Sequence, residues 1–134
     1  MKYYLSFHLV SDLIFSHEEK KKAIEEEIQR LIQSDARLFT SAGVIGEILR
    51  AEKNEKISPV FLRQIEILCD SIFPFEFEDC ALAERLHAEY GIERNLLFEF
   101  AVCIRKNIDC FLTTREIQVQ QNLLSVKRIA FKTE

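Results

Sequence analysis

Two kinds of hydrophobic pattern alternate along this chain. Short apolar runs at residues 2–5, 37–40, 72–77, 110–113 and 126–131 have the composition of β-strands. Between them, apolar residues recur at helical spacing. The predicted helices cover residues 7–15, 18–33, 42–52, 59–68, 78–90, 95–106 and a short polar stretch at 117–123. Ser16 and Glu19 have the spacing of a capping box for the second helix.

The order of these elements favours an α/β fold. Strands that alternate with helices are typical of a parallel sheet with helices on both faces. We therefore expect a three-layer α/β/α arrangement around a central parallel sheet of four or five strands, with residues 1–134 as a single domain. In such sheets, binding sites lie at the carboxyl ends of the strands. The polar tip Thr114-Arg115-Glu116, which follows the strand at residues 110–113, marks one of those ends.

Composition narrows the function classes. The net charge of −4 excludes a strongly basic surface for nucleic acid, although a local patch remains open. No apolar run approaches the roughly 20 residues that span a membrane, so we expect a soluble, cytoplasmic protein. The cysteines do not form a C-x-x-C pair and have apolar neighbours, which favours four reduced, buried thiols: Cys69, Cys80, Cys103 and Cys110.

Four pieces of the chain, in this order and spacing, resemble the PIN-domain family of small metal-dependent ribonucleases, which includes VapC-type toxins. YYLSFHLVSDLI is similar to the family's opening strand and turn, and LFTSAGVIGEILRA to its second strand and glutamate-bearing helix. AERLHAEYGIERNLLFEFAVCIRKNIDCFLTTRE resembles the closing module, and VKRIAFKTE the final strand and tail. The resemblance covers nearly the whole chain. It implies that the strand at residues 2–5 is central, between those at 37–40 and 110–113.

The resemblance also implies a metal site that this sequence alters. In the family, three or four carboxylates hold Mg²⁺ or Mn²⁺, which activates water against a phosphodiester; both cations prefer oxygen ligands. Here the first acidic position holds Ser6 and the second keeps Glu47. The third falls at Asn95, or at Leu96 in an ungapped alignment, and the fourth at Arg115. One acidic position of four remains, so we predict neither a metal site nor any other cofactor.

Acidic residues elsewhere offer an alternative. Glu99 lies one helical turn after Asn95, and Asp12 and Glu116 are further candidates. A rebuilt site of Glu47, Glu99 and Glu116 would restore a set of oxygen ligands for Mg²⁺ or Mn²⁺. His8 is a candidate general base, although a histidine without an orienting acid is more often structural.

If this chain binds no metal, another group is expected to fill the space that the ion has in the family. Arg115 and Glu47 both map to the mouth of the family's pocket, so we expect the guanidinium to pair with the carboxylate there. Ser6, Asn95 and Thr113 would then supply neutral hydrogen bonds around the pair.

Three functions follow from this vestigial site, which consists of Ser6, Glu47, Asn95, Glu99 and Arg115. The first is a catalytically degenerate PIN-like domain that acts as a binding or regulatory module, with an antitoxin-like protein as a candidate partner and RNA left open. The second is a toxin-type, metal-dependent ribonuclease with a rebuilt acidic site. The third is a structural or assembly subunit. The apolar residues at 60–68 make a homodimer a further candidate in each case.

Overall fold

The computed structural model describes residues 1–51, 59–118 and 123–131. Twelve helices and strands occur in these ranges, one of them a single 3-10 turn. In chain order they are β1 (Lys2–Leu5), α1 (Phe7–Phe15), α2 (Glu18–Gln33), β2 (Arg37–Ser41), α3 (Ala42–Ala51), α4 (Pro59–Leu68), β3 (Ser71–Phe73), α5 (Phe77–Tyr90), the 3-10 turn (Arg94–Leu96), α6 (Leu97–Arg105), β4 (Cys110–Thr113) and β5 (Ser125–Arg128).

The five strands form one parallel sheet in the order β3-β2-β1-β4-β5, flanked by helices. This confirms the predicted α/β class and the number of strands. It also confirms that β1 is central, because Tyr4 pairs with Phe39 on one side and with Phe111 on the other. The first strand therefore has its carboxyl end in the middle of the sheet, where the ends of β2 and β4 lie beside it.

The core forms around the middle strands. Leu5, Phe111 and Leu112 are fully buried and Phe39 is 3% exposed, which confirms the predicted core positions. The ring of Phe111 stacks on Tyr4 at 5.5 Å and meets the edge of Phe100 at 4.9 Å between ring centroids. This aromatic cluster joins β1 and β4 to α6, so the sheet fixes the position of the helix that carries Glu99.

The third strand is shorter than its sequence predicts. It ends at Phe73, and not at Phe77, because Pro74 has no N–H to continue the ladder. Phe77 instead begins α5. That helix starts with a capping box in which the Glu76 side chain and the Asp79 side chain each accept a backbone N–H, and it ends at Gly91, which has a φ of 65°.

The segment around α6 follows the sequence pattern with shifted ends. The predicted helix at 95–106 is divided into the 3-10 turn and α6, with Lys106 as the C-cap. Asn107 then takes a φ of 56°, a conformation that asparagine tolerates better than most residues. This turn delivers the chain to β4 at the predicted residue, Cys110.

Three other predicted features differ. The capping box at Ser16 is wrong, because the Ser16 hydroxyl donates to the Asp12 carbonyl and His17 takes the N-cap position without a side-chain hydrogen bond. The final strand covers Ser125–Arg128, not 126–131. Of the predicted helix at 117–123, residues 119–122 lie outside the described residues, and its described ends are not helical.

The four cysteines are free thiols, as expected, but only three are buried. Cys69, Cys103 and Cys110 lie in the core, whereas Cys80 on α5 is exposed. Burial raises the pKa of the Cys69 thiol to about 12, so this thiol stays protonated. Within the ranges that the structure describes, no helix is both long and apolar enough to cross a bilayer.

Candidate functional site

A cavity of about 520 Å³ opens where β1 and β2 end, between α1, α3 and α6. Its volume is within the range of roughly 300–1,000 Å³ that is typical of small-molecule sites. Most of its wall is apolar, and the polar groups that face it come from five elements: α1, β2, α3, the 3-10 turn and α6. The apolar lining includes Phe7, Val44, Phe75, Phe98 and Val102, and the polar lining includes His8, Ser41, Glu47, Arg94, Asn95 and Glu99.

Glu99 is the most constrained polar group of this wall. Its Oε1 accepts a hydrogen bond of 2.9 Å from the backbone N–H of Phe7, the first residue of α1. Burial raises the pKa of Glu99 to about 7, although the hydrogen bonds from Phe7 and Tyr4 lower it, and the nearby charge of Glu47 adds to the increase. Near neutral pH this carboxyl group is therefore divided between its protonated and ionised forms.

Tyr4 and Ser41 are hydrogen-bonded to each other beside Glu99. Their hydroxyl oxygens lie 2.8 Å apart, and the Ser41 hydroxyl also accepts the N–H of Val44 in the first turn of α3, as a capping residue does. Burial, followed by the charge of Glu99, raises the pKa of Tyr4 well above its ordinary value. Tyr4 is fully buried and does not line the cavity, so it is a neutral hydrogen-bonding group behind the wall that Ser41 and Glu99 form.

Ser6, which stands at the first acidic position of the family that the chain resembles, has a structural role here. The residue is 1% exposed, and its hydroxyl accepts the N–H of Leu9 as the N-cap of α1. Its own N–H donates to the carbonyl of Leu112 over 3.1 Å, which extends the β1–β4 pairing by one bond. Ser6 therefore fixes where α1 begins, and through α1 it places the Phe7 N–H that Glu99 accepts.

The expected pair of Glu47 and Arg115 is wrong. Glu47 pairs instead with Arg50, one turn further along α3, at 2.8 Å, and its side chain is 54% exposed. In the described parts of the chain, no ion pair joins Arg115 to Glu47. Helical neighbours three residues apart meet without any help from the tertiary structure, whereas Arg115 lies beyond β4.

Two threonines form hydrogen bonds at the carboxyl end of β4. The Thr114 hydroxyl, 2% exposed, donates to the Asp12 carboxylate over 2.6 Å, and the Thr113 hydroxyl accepts the Arg115 N–H at 3.1 Å. The Arg115 side chain is exposed and lies close enough to His8 to influence it. Burial and then the charge of Arg115 lower the pKa of His8, so its imidazole is neutral at pH 7.

The rebuilt acidic site is only partly assembled. Glu47 and Glu99 share the cavity, and Asn95 lines it nearby, but Glu116 and Asp12 do not contribute to its wall. Among the residues that the structure describes, no group of three His, Cys, Asp or Glu side chains could hold a metal ion. The structure thus brings together Glu47, Asn95 and Glu99 of the vestigial set, with Ser6 behind them and Arg115 outside the cavity.

Sequence reasoning missed Tyr4, Ser41, Phe75 and Phe98. Tyr4 was assigned only to a strand, although the alternation along β1 places its side chain opposite those of its neighbours. Phe75 and Phe98 form an edge-to-face pair with ring centroids 5.0 Å apart at the cavity. The available signal was a tyrosine in a central strand, because its hydroxyl needs a hydrogen-bond partner when it is buried.

Comparisons with known proteins support the fold. No protein-family model matches the sequence, and no curated protein does. Among solved structures, the chain is similar to one chain of VapBC2 from Rickettsia felis, crystallised with a DNA fragment from their promoter. The TM-score is 0.72, and the alignment covers 96% of this chain and 98% of that one at 17% sequence identity. The five-stranded parallel sheet flanked by helices is therefore a PIN-like fold.

Proposed function

We propose that this chain is a catalytically degenerate PIN-like protein that acts as a binding or regulatory module. The observation that carries the proposal is the state of Ser6, at the position of the family's first acidic residue. Its hydroxyl is buried and already accepts the Leu9 N–H, so it serves the backbone of α1. A neutral capping hydroxyl cannot replace a carboxylate that neutralises a divalent cation.

The remaining donors do not fit a divalent ion either. Glu47 is more than half exposed and paired with Arg50, and Glu99 holds the Phe7 N–H while its pKa is raised to about 7. Binding a cation there would have to displace a proton from Glu99 and compete with Arg50. In the family that this chain resembles, three or four carboxylates hold Mg²⁺ or Mn²⁺, so we derive no metal-dependent step for this protein.

The similarity to a chain of VapBC2 supports a protein partner. We infer that a small antitoxin-like protein is the partner, and that the protein acts in the cytoplasm. A homodimer through α4 is a second assembly that we propose, because Ile67 and Val60 on that helix are 79% and 63% exposed. Large exposed apolar side chains on one helix favour association.

A ribonuclease with a remade site is the competing function. It is favoured by one observation: Glu47 and Glu99 face the same cavity closely enough for the charge of one to raise the pKa of the other. One or two carboxylates, together with water and substrate phosphates, are sufficient ligands for Mg²⁺ in many proteins. RNA would then be the substrate, with Mg²⁺ or Mn²⁺ as the cofactor.

A titration with Mn²⁺ separates the two functions. A ligand that binds only the native state raises the melting temperature as its concentration increases. We expect the melting temperatures of the wild type and of Glu99→Gln to respond equally to Mn²⁺, and we expect single-stranded RNA to stay intact with either protein. A Mn²⁺-dependent rise together with RNA cleavage, both abolished in Glu99→Gln but retained in the surface variant Glu66→Gln, would establish the ribonuclease.

A further inference from the structure

The cavity combines a mostly apolar lining with two acidic groups. The rings of Phe7, Phe75 and Phe98 line it, and Phe75 and Phe98 are 45% and 49% exposed, so both rings lie at its mouth. Glu99 and Glu47 lie on the walls formed by α6 and α3. A flat apolar group can therefore pack against these rings while a polar group reaches the carboxylates.

We propose that this cavity binds a small organic cation with a flat aromatic body, of the aryl amine or aryl amidine class. The inference rests on the proposed function, since a tightly held divalent ion would occupy the same carboxylates. It adds the chemical class of the ligand to that function. The volume of about 520 Å³ accommodates a molecule of this class with space to spare.

The charges around the cavity favour a cation over an anion or a neutral molecule. Glu47 and Glu99 repel one another, and a positive charge between them removes that repulsion and compensates for the burial of Glu99. The faces of phenylalanine rings also attract cations. His8 is neutral, because burial and Arg115 lower its pKa. Arg94 is the one cationic side chain on the described wall, and it is exposed, so solvent screens its charge.

Part of the hydrogen-bonding capacity of Glu99 remains for a ligand. The Phe7 N–H is bonded to Oε1, and the Tyr4 hydroxyl interacts with the same carboxyl group. A carboxylate has about four lone-pair sites, so a third and a fourth donor can be accepted from the cavity side. An amidinium, whose two N–H groups point in the same direction, matches a carboxylate in the bidentate way that guanidinium does.

Three probes of nearly equal shape test the proposal: benzamidine, benzamide and benzoate. All three share a phenyl ring, and their substituents are positively charged, neutral and negatively charged, respectively. We expect benzamidine to shift backbone amide NMR signals around Phe7, Val44 and Glu99, and to bind at least about tenfold more tightly than benzamide, with benzoate weaker still. Equal affinity of benzamide or benzoate, or shifts confined to other surfaces, would overturn the proposal.

Variants of the two glutamates test which carboxylate binds the cation. Glu99→Gln keeps the shape and an oxygen for the Phe7 N–H, and we expect it to weaken benzamidine binding about tenfold or more. Glu47→Gln should have a smaller effect, about two- to threefold, because Glu47 is exposed and shared with Arg50. The matched control is Glu66→Gln, which removes an exposed glutamate on α4 outside the cavity and should bind as the wild type does. Unchanged affinity in folded Glu99→Gln contradicts the proposal.

Proton release provides a second readout. The titratable and charged groups that face Glu99 are Tyr4 on β1, His8 on α1, Glu47 on α3, Arg94 on the 3-10 turn and Cys103 on α6. The pKa values of Tyr4 and Cys103 are raised and that of His8 is lowered, so Glu99 is the group that is divided between two forms at pH 7.

A bound cation favours the ionised form of Glu99, so benzamidine should release up to about half a proton at pH 7. Calorimetry in phosphate and in Tris measures this release as a difference in apparent binding enthalpy. Equal enthalpies after correction for dilution, with binding present, would overturn the assignment to Glu99. The three-probe comparison uses only the wild type, so it decides the matter even if Glu99→Gln does not fold. Failure of benzamidine to bind would leave the Mn²⁺ titration and its conclusion unaffected.

Discussion

The backbone N–H of Phe7 donates to Oε1 of Glu99 across 92 residues of sequence, over 2.9 Å. This bond joins the first turn of α1 to α6 beside the cavity. It satisfies one of the N–H groups that a helix leaves unpaired at its start. It also orients a carboxyl group that the sequence alone places only on a helix, and it makes Glu99 both a structural and a chemical element of the site.

The first prediction concerns the pH dependence of stability. The pKa of Glu99 is raised from 4.5 to about 7 in the folded chain. The folded chain therefore favours the protonated form of Glu99. The stability that this group contributes is fully present below pH 4.5 and is lost as the pH rises through about 7. Urea titrations should show wild type losing up to roughly 3 kcal/mol relative to Glu99→Gln across that interval.

The pH comparison has an internal control, because other groups, His8 among them, titrate equally in both proteins. Glu66→Gln should follow the wild type at every pH. A difference between the wild type and Glu99→Gln that stays constant from pH 4.5 to pH 8 would mean that the folded-state pKa of Glu99 is not raised.

The second prediction concerns the ion pair that holds α5 to α6. The Asp79 side chain is fully buried and accepts the Arg105 guanidinium at 2.7 Å and the Glu76 N–H at 2.8 Å. Within the described residues, Asp79→Ala leaves Arg105 only the Glu76 carboxylate, 3.8 Å away, and removes the acceptor of the Glu76 N–H. It should therefore lower the free energy of unfolding by about 2–3 kcal/mol. Chemical denaturation measures the loss.

An exposed Asp–Arg pair serves as the control for Asp79. Arg37 and Asp70 meet at 2.8 Å with side chains that are 58% and 43% exposed, so Asp70→Ala should cost about 1 kcal/mol or less. The double variant of Asp79 and Arg105 should lose less than the sum of the single losses. Equal costs for Asp79→Ala and Asp70→Ala would show that burial does not govern the first pair.

The third prediction tests the aromatic cluster below the site. Phe111 is fully buried and packs against Tyr4 and Phe100. Phe111→Ala should cost about 3–5 kcal/mol, since it removes buried surface and leaves a void. Phe77→Ala, at a position that is 82% exposed, should change stability by less than about 1 kcal/mol. A loss below 1 kcal/mol for Phe111→Ala, measured in the same denaturant series, is incompatible with this packing.

The fourth prediction follows from the separation of Arg115 and Glu47. A double-mutant cycle of Arg115→Ala and Glu47→Ala should be additive within about 0.5 kcal/mol, because the two side chains form no ion pair. The cycle of Glu47→Ala with Arg50→Ala should give a small coupling of about 0–1 kcal/mol, as exposed helical pairs do. A larger coupling for the Arg115 pair than for the Arg50 pair would restore the pairing expected from sequence.

Much of the frame can be predicted from the sequence. Apolar periodicity located the strands and most helix ends, and Gly91 and Asn107 marked turns that require a positive φ. The central position of β1 came from the resemblance to PIN domains, and the pairing of Tyr4 with both neighbours confirms it. These features depend on local backbone preference and on which face of an element is apolar.

The contents of the site depended on the tertiary structure. Sequence placed Arg115 at the pocket because it follows a central strand, but the turn after Thr113 leaves its side chain exposed. It treated Glu99 as one of several displaced acids, whereas the approach of α1 gives this one a fixed partner and a pKa near 7. Periodicity tells which side of an element faces inward. The atom that each polar group meets there is set by how distant segments pack, and so by the sheet order as a whole.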